Sequence, residues 1–145
     1  MAEADSQRIR ITLRWIKILD NLEPFFDDEG EFQFTVNISS GGKTTETRVP
    51  EQGFYSISDR PGWNFVELNR VIFDGEVGEE LTVEIQGEEL DNVSANDQLE
   101  TYRRKFEGSA DDWYGVYKPH DEGEQVSDDP EALSNWQLCY VIERA

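Results

Sequence analysis

A chain of 145 residues with 32 Asp and Glu against 13 Lys and Arg carries a formal charge of -19 and a pI near 4.2, which excludes charge-driven binding to nucleic acid and disfavours an anionic bilayer. Hydrophobic residues at 37% and aromatics at 12% suffice for one domain with its own core and exceed what a disordered chain carries. A single cysteine, Cys139, and a single histidine, His120, exclude an internal disulfide and leave zinc and nucleophilic chemistry short of parts.

The opening MAEADSQRIR lacks the apolar segment of a signal peptide, and no apolar run reaches the length of a membrane span. The expectation is one soluble, cytoplasmic domain over residues 1–145, with export by another route left open and residues 1–7 as a polar tail. From there Ile9, Ile11 and Leu13 alternate with Arg8, Arg10, Thr12 and Arg14, and Ile16 and Ile18 then take the opposite parity. That shift predicts a strand with a β-bulge near Trp15. The outward arginines suit cross-strand pairing with the many carboxylates better than a basic binding stripe.

Asp20 to Glu31 is an acidic loop punctuated by Pro24 and Gly30, and Phe25 and Phe26 are expected to tuck beneath it as a small core rather than project as a membrane-inserting tip. Phe32, Phe34, Val36 and Ile38 then alternate with polar residues in the clearest strand of the chain. Ser39 to Gly42 makes a hairpin turn into a Thr-rich strand from Lys43 to Val49. After a loop ending at Pro61-Gly62, two further strands are expected, around Trp63 to Leu68 and over Val71 to Phe73, with Asp74-Gly75 as a turn.

Leu81, Val83 and Ile85 alternate with Thr82, Glu84 and Gln86 as a half-buried strand. Gly87 interrupts it, and an acidic loop carrying Glu88, Glu89, Asp91 and Asp97 follows. By parity, Glu89 and Asp91 point into the rim between the sheets if the chain stays extended. Carboxylates gathered there suit a hard cation, and calcium takes about six to eight oxygen ligands, so a second loop has to contribute. The Asp20–Glu31 stretch supplies one.

The run Glu89-Leu90-Asp91-Asn92-Val93-Ser94-Ala95-Asn96-Asp97-Gln98-Leu99 resembles the third calcium loop of the C-two domain family, whose form is D-x-D, five residues, D. Glu89 stands here in place of the first Asp. The preceding strand, and Gly62-Trp63-Asn64-Phe65, are similar to that family's strand after a W-N turn. The resemblance implies a calcium-binding antiparallel β-sandwich of about eight strands, with Glu89, Asp91 and Asp97 as ligands and Asp20 and Asp28 joining by position. Phospholipid is that family's usual ligand, but this acidic surface points to a protein partner or a purely structural ion instead.

Leu99 to Phe106 fits strand or short helix. The segment from 100 to 135 reads as an insertion before the last strand. Within it Trp113, Tyr114 and Tyr117 stand beside Asp111 and Asp112, as a sugar-stacking platform if exposed or a satellite core if buried. Asp129 and Pro130 mark the start of a short helix over 129–134. Trp136, Leu138, Tyr140 and Ile142 form the closing strand, with Cys139 as a small buried filler. No G-x-S-x-G elbow, H-E-x-x-H pair, Walker loop or dinucleotide fingerprint occurs. The reading is therefore a non-enzymatic, calcium-binding interaction module. A carbohydrate-binding module and a metal-free subunit of a larger assembly compete with it.

Overall fold

Alternating residues bury one side of a strand and wet the other, and in the computed structural model this alternation builds two antiparallel sheets packed as a β-sandwich. The structure describes residues 7–19, 29–58, 64–90, 97–119, 130–133 and 135–145. Among these the strands are β1 Gln7–Ile18, β2 Glu29–Ser40, β3 Lys43–Val49, β4 Tyr55–Ser58, β5 Phe65–Val77, β6 Glu80–Leu90, β7 Asp97–Gln98, β8 Tyr102–Glu107, β9 Gly115–Tyr117 and β10 Trp136–Arg144. One sheet has four strands in the order β5-β1-β10-β9. The other, six-stranded, is built on the β2–β6 pair: β3 and β4 share the far side of β2, while β7 and β8 share the far side of β6.

Between the sheets lie Ile9, Ile11 and Leu13 of β1, Phe32, Phe34 and Val36 of β2, Leu81, Val83 and Ile85 of β6, and Trp136, Leu138 and Tyr140 of β10, all fully buried. The Phe34 and Trp136 rings meet across the interface with centroids 5.4 Å apart. In β1 the register slips between Leu13 and Trp15 against both neighbours, the bulge that the parity shift requires. It returns Ile16 and Ile18 to the core, at 1% and 0% exposure.

Three local expectations are corrected. The two strands expected around 63–68 and 71–73 are one 13-residue strand, β5. Asp74 and Gly75 lie inside it opposite Arg10 and Ile9, and Asp74 holds ion pairs with Arg8 at 2.9 Å and Arg10 at 3.2 Å, so the pairing overrides the turn signal. Gly87 does not end β6, which runs on to Leu90. The segment Pro130–Leu133 is a turn followed by an Ala132–Gln137 bridge, and the one 3₁₀ turn among the described residues lies at Ala110–Asp112. The expected helix does not form there because β10 recruits the segment, with the Leu138 amide donating to the Glu131 carbonyl at 3.4 Å. Residues 129 and 134 lie outside the described set, as do Phe25 and Phe26. Among the described residues no helix is long and apolar enough to cross a membrane.

Gly87 occupies an inward position where a Cβ would come within 2.6 Å of the Phe34 ring and 2.8 Å of Leu99. Gly87→Ala is therefore expected to lose about 1–3 kcal/mol by overpacking, read from urea denaturation. Gly78→Ala, where nothing lies within 4 Å, should stay within about 0.5 kcal/mol of the parent. Equal midpoints for the two variants would contradict the close packing at Gly87.

Candidate functional site

Register places the strand ends that matter at one end of the sandwich. Ile18 pairs with Trp136 and Lys17 with Phe65 in one sheet, while Glu29 pairs with Ser58 and Glu31 with Leu90 in the other. The same end is tied across the sheets: the Trp136 indole donates to the Glu100 carbonyl at 2.7 Å, and Asn135 and Glu100 exchange side-chain to backbone hydrogen bonds. Asn64 clamps β1 there, donating from its side chain to the Ile18 carbonyl at 2.9 Å and accepting from the Ile18 amide at 2.8 Å. The chain therefore leaves and re-enters the described structure at this end on both sides of residues 20–28, 59–63 and 91–96.

Glu89 is the inward residue of β6 nearest this end. Leu81, Val83, Ile85, Gly87 and Glu89 are buried in strict alternation, and Glu89 retains 1% exposure. Its partner in register is Asp97 on β7. Two of the five carboxylates expected to bind metal are thus neighbours on one ladder. Asp20, Asp28 and Asp91 lie outside the described residues, as does the side chain of Asp97. Among the described residues no group of three or more His, Cys, Asp or Glu is arranged to hold an ion.

The aromatic segment packs as a satellite core. Trp113 is 2% exposed, and its indole donates to the Glu107 carbonyl at 3.1 Å. Tyr117 stacks on Tyr140 at 5.2 Å, meets Phe106 edge-on at 5.1 Å and donates to the Trp113 carbonyl at 2.5 Å. Tyr114 is half-buried, and Arg144 beside it bonds Asp111. A sugar-stacking platform needs open ring faces, and the Trp113 ring has none to offer, so the platform expected of these three residues is not assembled.

A buried polar network at Glu131 escapes sequence reasoning. The Glu131 carboxylate, 3% exposed, accepts from the Tyr102 hydroxyl at 2.7 Å and from Arg104 Nη1 at 2.9 and 3.1 Å. Tyr102 spends its one proton on Glu131, so at 2.6 Å it accepts from Tyr140, which joins β8 of one sheet to β10 of the other. Arg104 lies over the Phe106 and Tyr117 rings at 5.2 and 4.8 Å. Burial, reinforced for Tyr102 by the neighbouring Tyr140 and Glu131, pushes both hydroxyls far above the usual phenol range. For Arg104 burial opposes the charge, but the hydrogen bonds and charge of Glu131 outweigh it and hold the guanidinium protonated. The arrangement locks the Pro130–Leu133 turn to both sheets, with the Arg104 side chain a third exposed at its edge. Its signal in the sequence is absent because Glu131 reads as an ordinary first-turn acid after Pro130.

No protein-family model matches the chain, and no curated protein matches it either.

The Tyr102 and Tyr140 hydroxyls stay protonated in the folded protein above the ordinary value of 10.0 at which they ionise in the unfolded chain. Their contribution to stability is therefore complete below about pH 10 and lost as pH rises beyond it. In an alkaline titration, phenolate absorbance from these two of the five tyrosines should appear only together with loss of the strand signal in circular dichroism. Early ionisation of all five would refute the buried network. Independently, Glu131→Gln should cost about 1–3 kcal/mol by weakening the bonds to Arg104 and Tyr102, measured by thermal or urea unfolding at neutral pH.

Proposed function

We propose that this protein is a calcium-binding, non-enzymatic interaction module, C-two-like in architecture, whose ion lies at the Glu89 end of the sandwich and fixes a surface for a protein partner. The observation that carries the reading is the pairing of Glu89 with Asp97 at the last inward position of β6. Like charges directly opposite each other on a ladder are unfavourable, and a divalent cation beside them reverses the sign. The chemistry of the donors agrees: carboxylate oxygens are hard ligands, suited to calcium in an irregular shell of about six to eight oxygens and less suited to magnesium, which keeps its water and near-octahedral geometry. Asp91, two residues beyond Glu89, and Asp20 and Asp28, between β1 and β2, are the further ligands that the reading requires. A net charge of -19 favours a protein partner over an anionic bilayer.

Calcium bound to the native state raises stability by RT ln(1 + [L]/Kd), about 2.7 kcal/mol at a hundred times Kd. The expected result is a higher thermal midpoint in millimolar calcium than in chelator at matched ionic strength, a smaller rise in magnesium, and no calcium response in Glu89→Gln or Asp91→Asn. Asp91→Asn should leave the midpoint in chelator unchanged or slightly raised, because it relieves repulsion. Identical wild-type midpoints in calcium and chelator would remove the ion from the account.

A further inference from the structure

The two solvent-facing sides of the sandwich differ in chemistry. On the six-stranded sheet the outward residues of the central pair are polar, as Thr35, Asn37 and Ser39 on β2 and Thr82, Glu84 and Gln86 on β6 show. That is the expected dress of a wetted antiparallel sheet. On the four-stranded sheet, Thr12 of β1 is opposite Val71 of β5 on one side and Val141 of β10 on the other, and Val141 is opposite Val116 of β9. Directly opposed residues share a face, and Thr12 lies between the inward Ile11 and Leu13, so this row points away from the core and crosses all four strands. Val71 is 47% exposed and Val116 58%.

Two turns of the pleat away, Lys17 is opposite Phe65. The Phe65 ring, 48% exposed, meets the half-buried Trp15 ring at 5.3 Å. Single exposed valines need no explanation, but a row in register beside an aromatic pair is a contiguous apolar surface. Its charge also departs from the chain's: the outward Arg8, Arg10, Arg14, Lys17 and Lys118 slightly outnumber Glu67, Asp74, Glu76 and Glu143 on the same face. Arg14 is exposed at the β1 bulge and Lys17 is half-buried in the next row. Lys118, exposed just after β9, is near enough with Arg14 to favour the ionised Cys139 thiol, although burial prevails and raises it. Among the described residues, Arg14, Lys17 and Lys118 hold no ion pair, as is also true of Lys43, Arg48 and Arg103 on the six-stranded sheet, whereas Arg8, Arg10, Arg70, Arg104, Lys105 and Arg144 do.

We propose that the outer face of the four-stranded sheet is a docking surface for a different protein that presents carboxylates around an apolar centre. Charge complementarity selects the occupant. A second copy placed on the same face would set Arg14, Lys17 and Lys118 against themselves, and two chains of -19 repel each other overall. A bilayer bearing anionic lipid meets the same net repulsion. The inference rests on reading the chain as an interaction module but not on the ion, because this face lies on the side of the sandwich and Glu89 at its end.

The test is selection of a displayed random-peptide library on the purified protein in chelator, with the enriched peptides then titrated against wild type, Val71→Glu and the double variant Arg14→Glu/Lys17→Glu. The expected outcome is enrichment of peptides that combine Asp or Glu with aliphatic or aromatic residues, with affinity falling about tenfold or more in both variants, while thermal midpoints and any calcium shift are retained. A selection that yields no binders, or binders without acidic residues, or binders indifferent to both variants, overturns the proposal. So does a wild-type dimer in light scattering that Val71→Glu dissolves, which assigns the face to a second copy, or retention on phosphatidylserine vesicles that Arg14→Glu/Lys17→Glu abolishes, which assigns it to lipid. Failure here with the calcium shift intact leaves the ion reading standing, and the reverse result leaves this face standing.

Discussion

Phe34 lies so close over Gly87 that no side chain fits between them, and the placing of everything along β6 depends on that contact. Because strand side chains alternate faces, a slip of one residue would turn the whole inward set of β6 to solvent. The only residue that fits under the Phe34 ring is one without a Cβ, so the β2–β6 pairing has a single good register, with Phe34 opposite Gly87 and Phe32 opposite Glu89. Phe34 in turn meets Trp136 of the facing sheet, and Trp136 is tied to Glu100. One steric constraint thus aligns the two sheets and also determines that Glu89, rather than Glu88 or Leu90, occupies the inward position at the sandwich end.

Much of the architecture is legible from period-two alternation, and the exceptions have physical causes. β2 and the first half of β6 bury one parity, β10 does so apart from Cys139, and β1 buries one parity before Trp15 and the other after it, which announces the bulge. The signal fails where a residue has two meanings. Gly87 marks a strand end in isolation but serves here to admit the Phe34 and Leu99 side chains. Asp74-Gly75 spells a turn, but Asp74 faces Arg8 and Arg10 and stays in the ladder. Pro130 suggests a helix start, and the turn it begins is held instead by Glu131, whose partners Tyr102 and Arg104 are distant in sequence. Of the candidate site, parity alone locates the inward Glu89, whereas the Glu131 network has no local spacing to betray it.

Most of the chain's negative charge has to be carried in water, and the fold assigns the exceptions. Glu131 is buried where a guanidinium and the Tyr102 phenol meet its oxygens, with the Tyr140 phenol bonded in turn to Tyr102, and removing either partner of such a pair leaves an uncompensated charge behind. The positive charges are distributed unevenly. Several neutralise a nearby carboxylate, while Arg14, Lys17 and Lys118 are left on one sheet face beside exposed valines and Phe65. The protein is therefore not uniformly acidic at the length scale of a contact, about the Debye length of 8 Å in physiological salt.

The position of β1 in its sheet governs when that sheet can exist. β1 is flanked by β5 on one side and β10 on the other, and never by β2, which follows it in the chain. During synthesis its first partner emerges only after more than forty further residues, and its second only once residues 136–144 have been made. Until β5 has been made the inward Ile9, Ile11 and Leu13 have no ladder to hold them, while β2 and β3 can already pair as a hairpin. Pairings of such long sequence separation slow folding relative to local ones. The β2–β3 hairpin is accordingly the first ladder available, and β1 is flanked on both sides only when the last strand has been made.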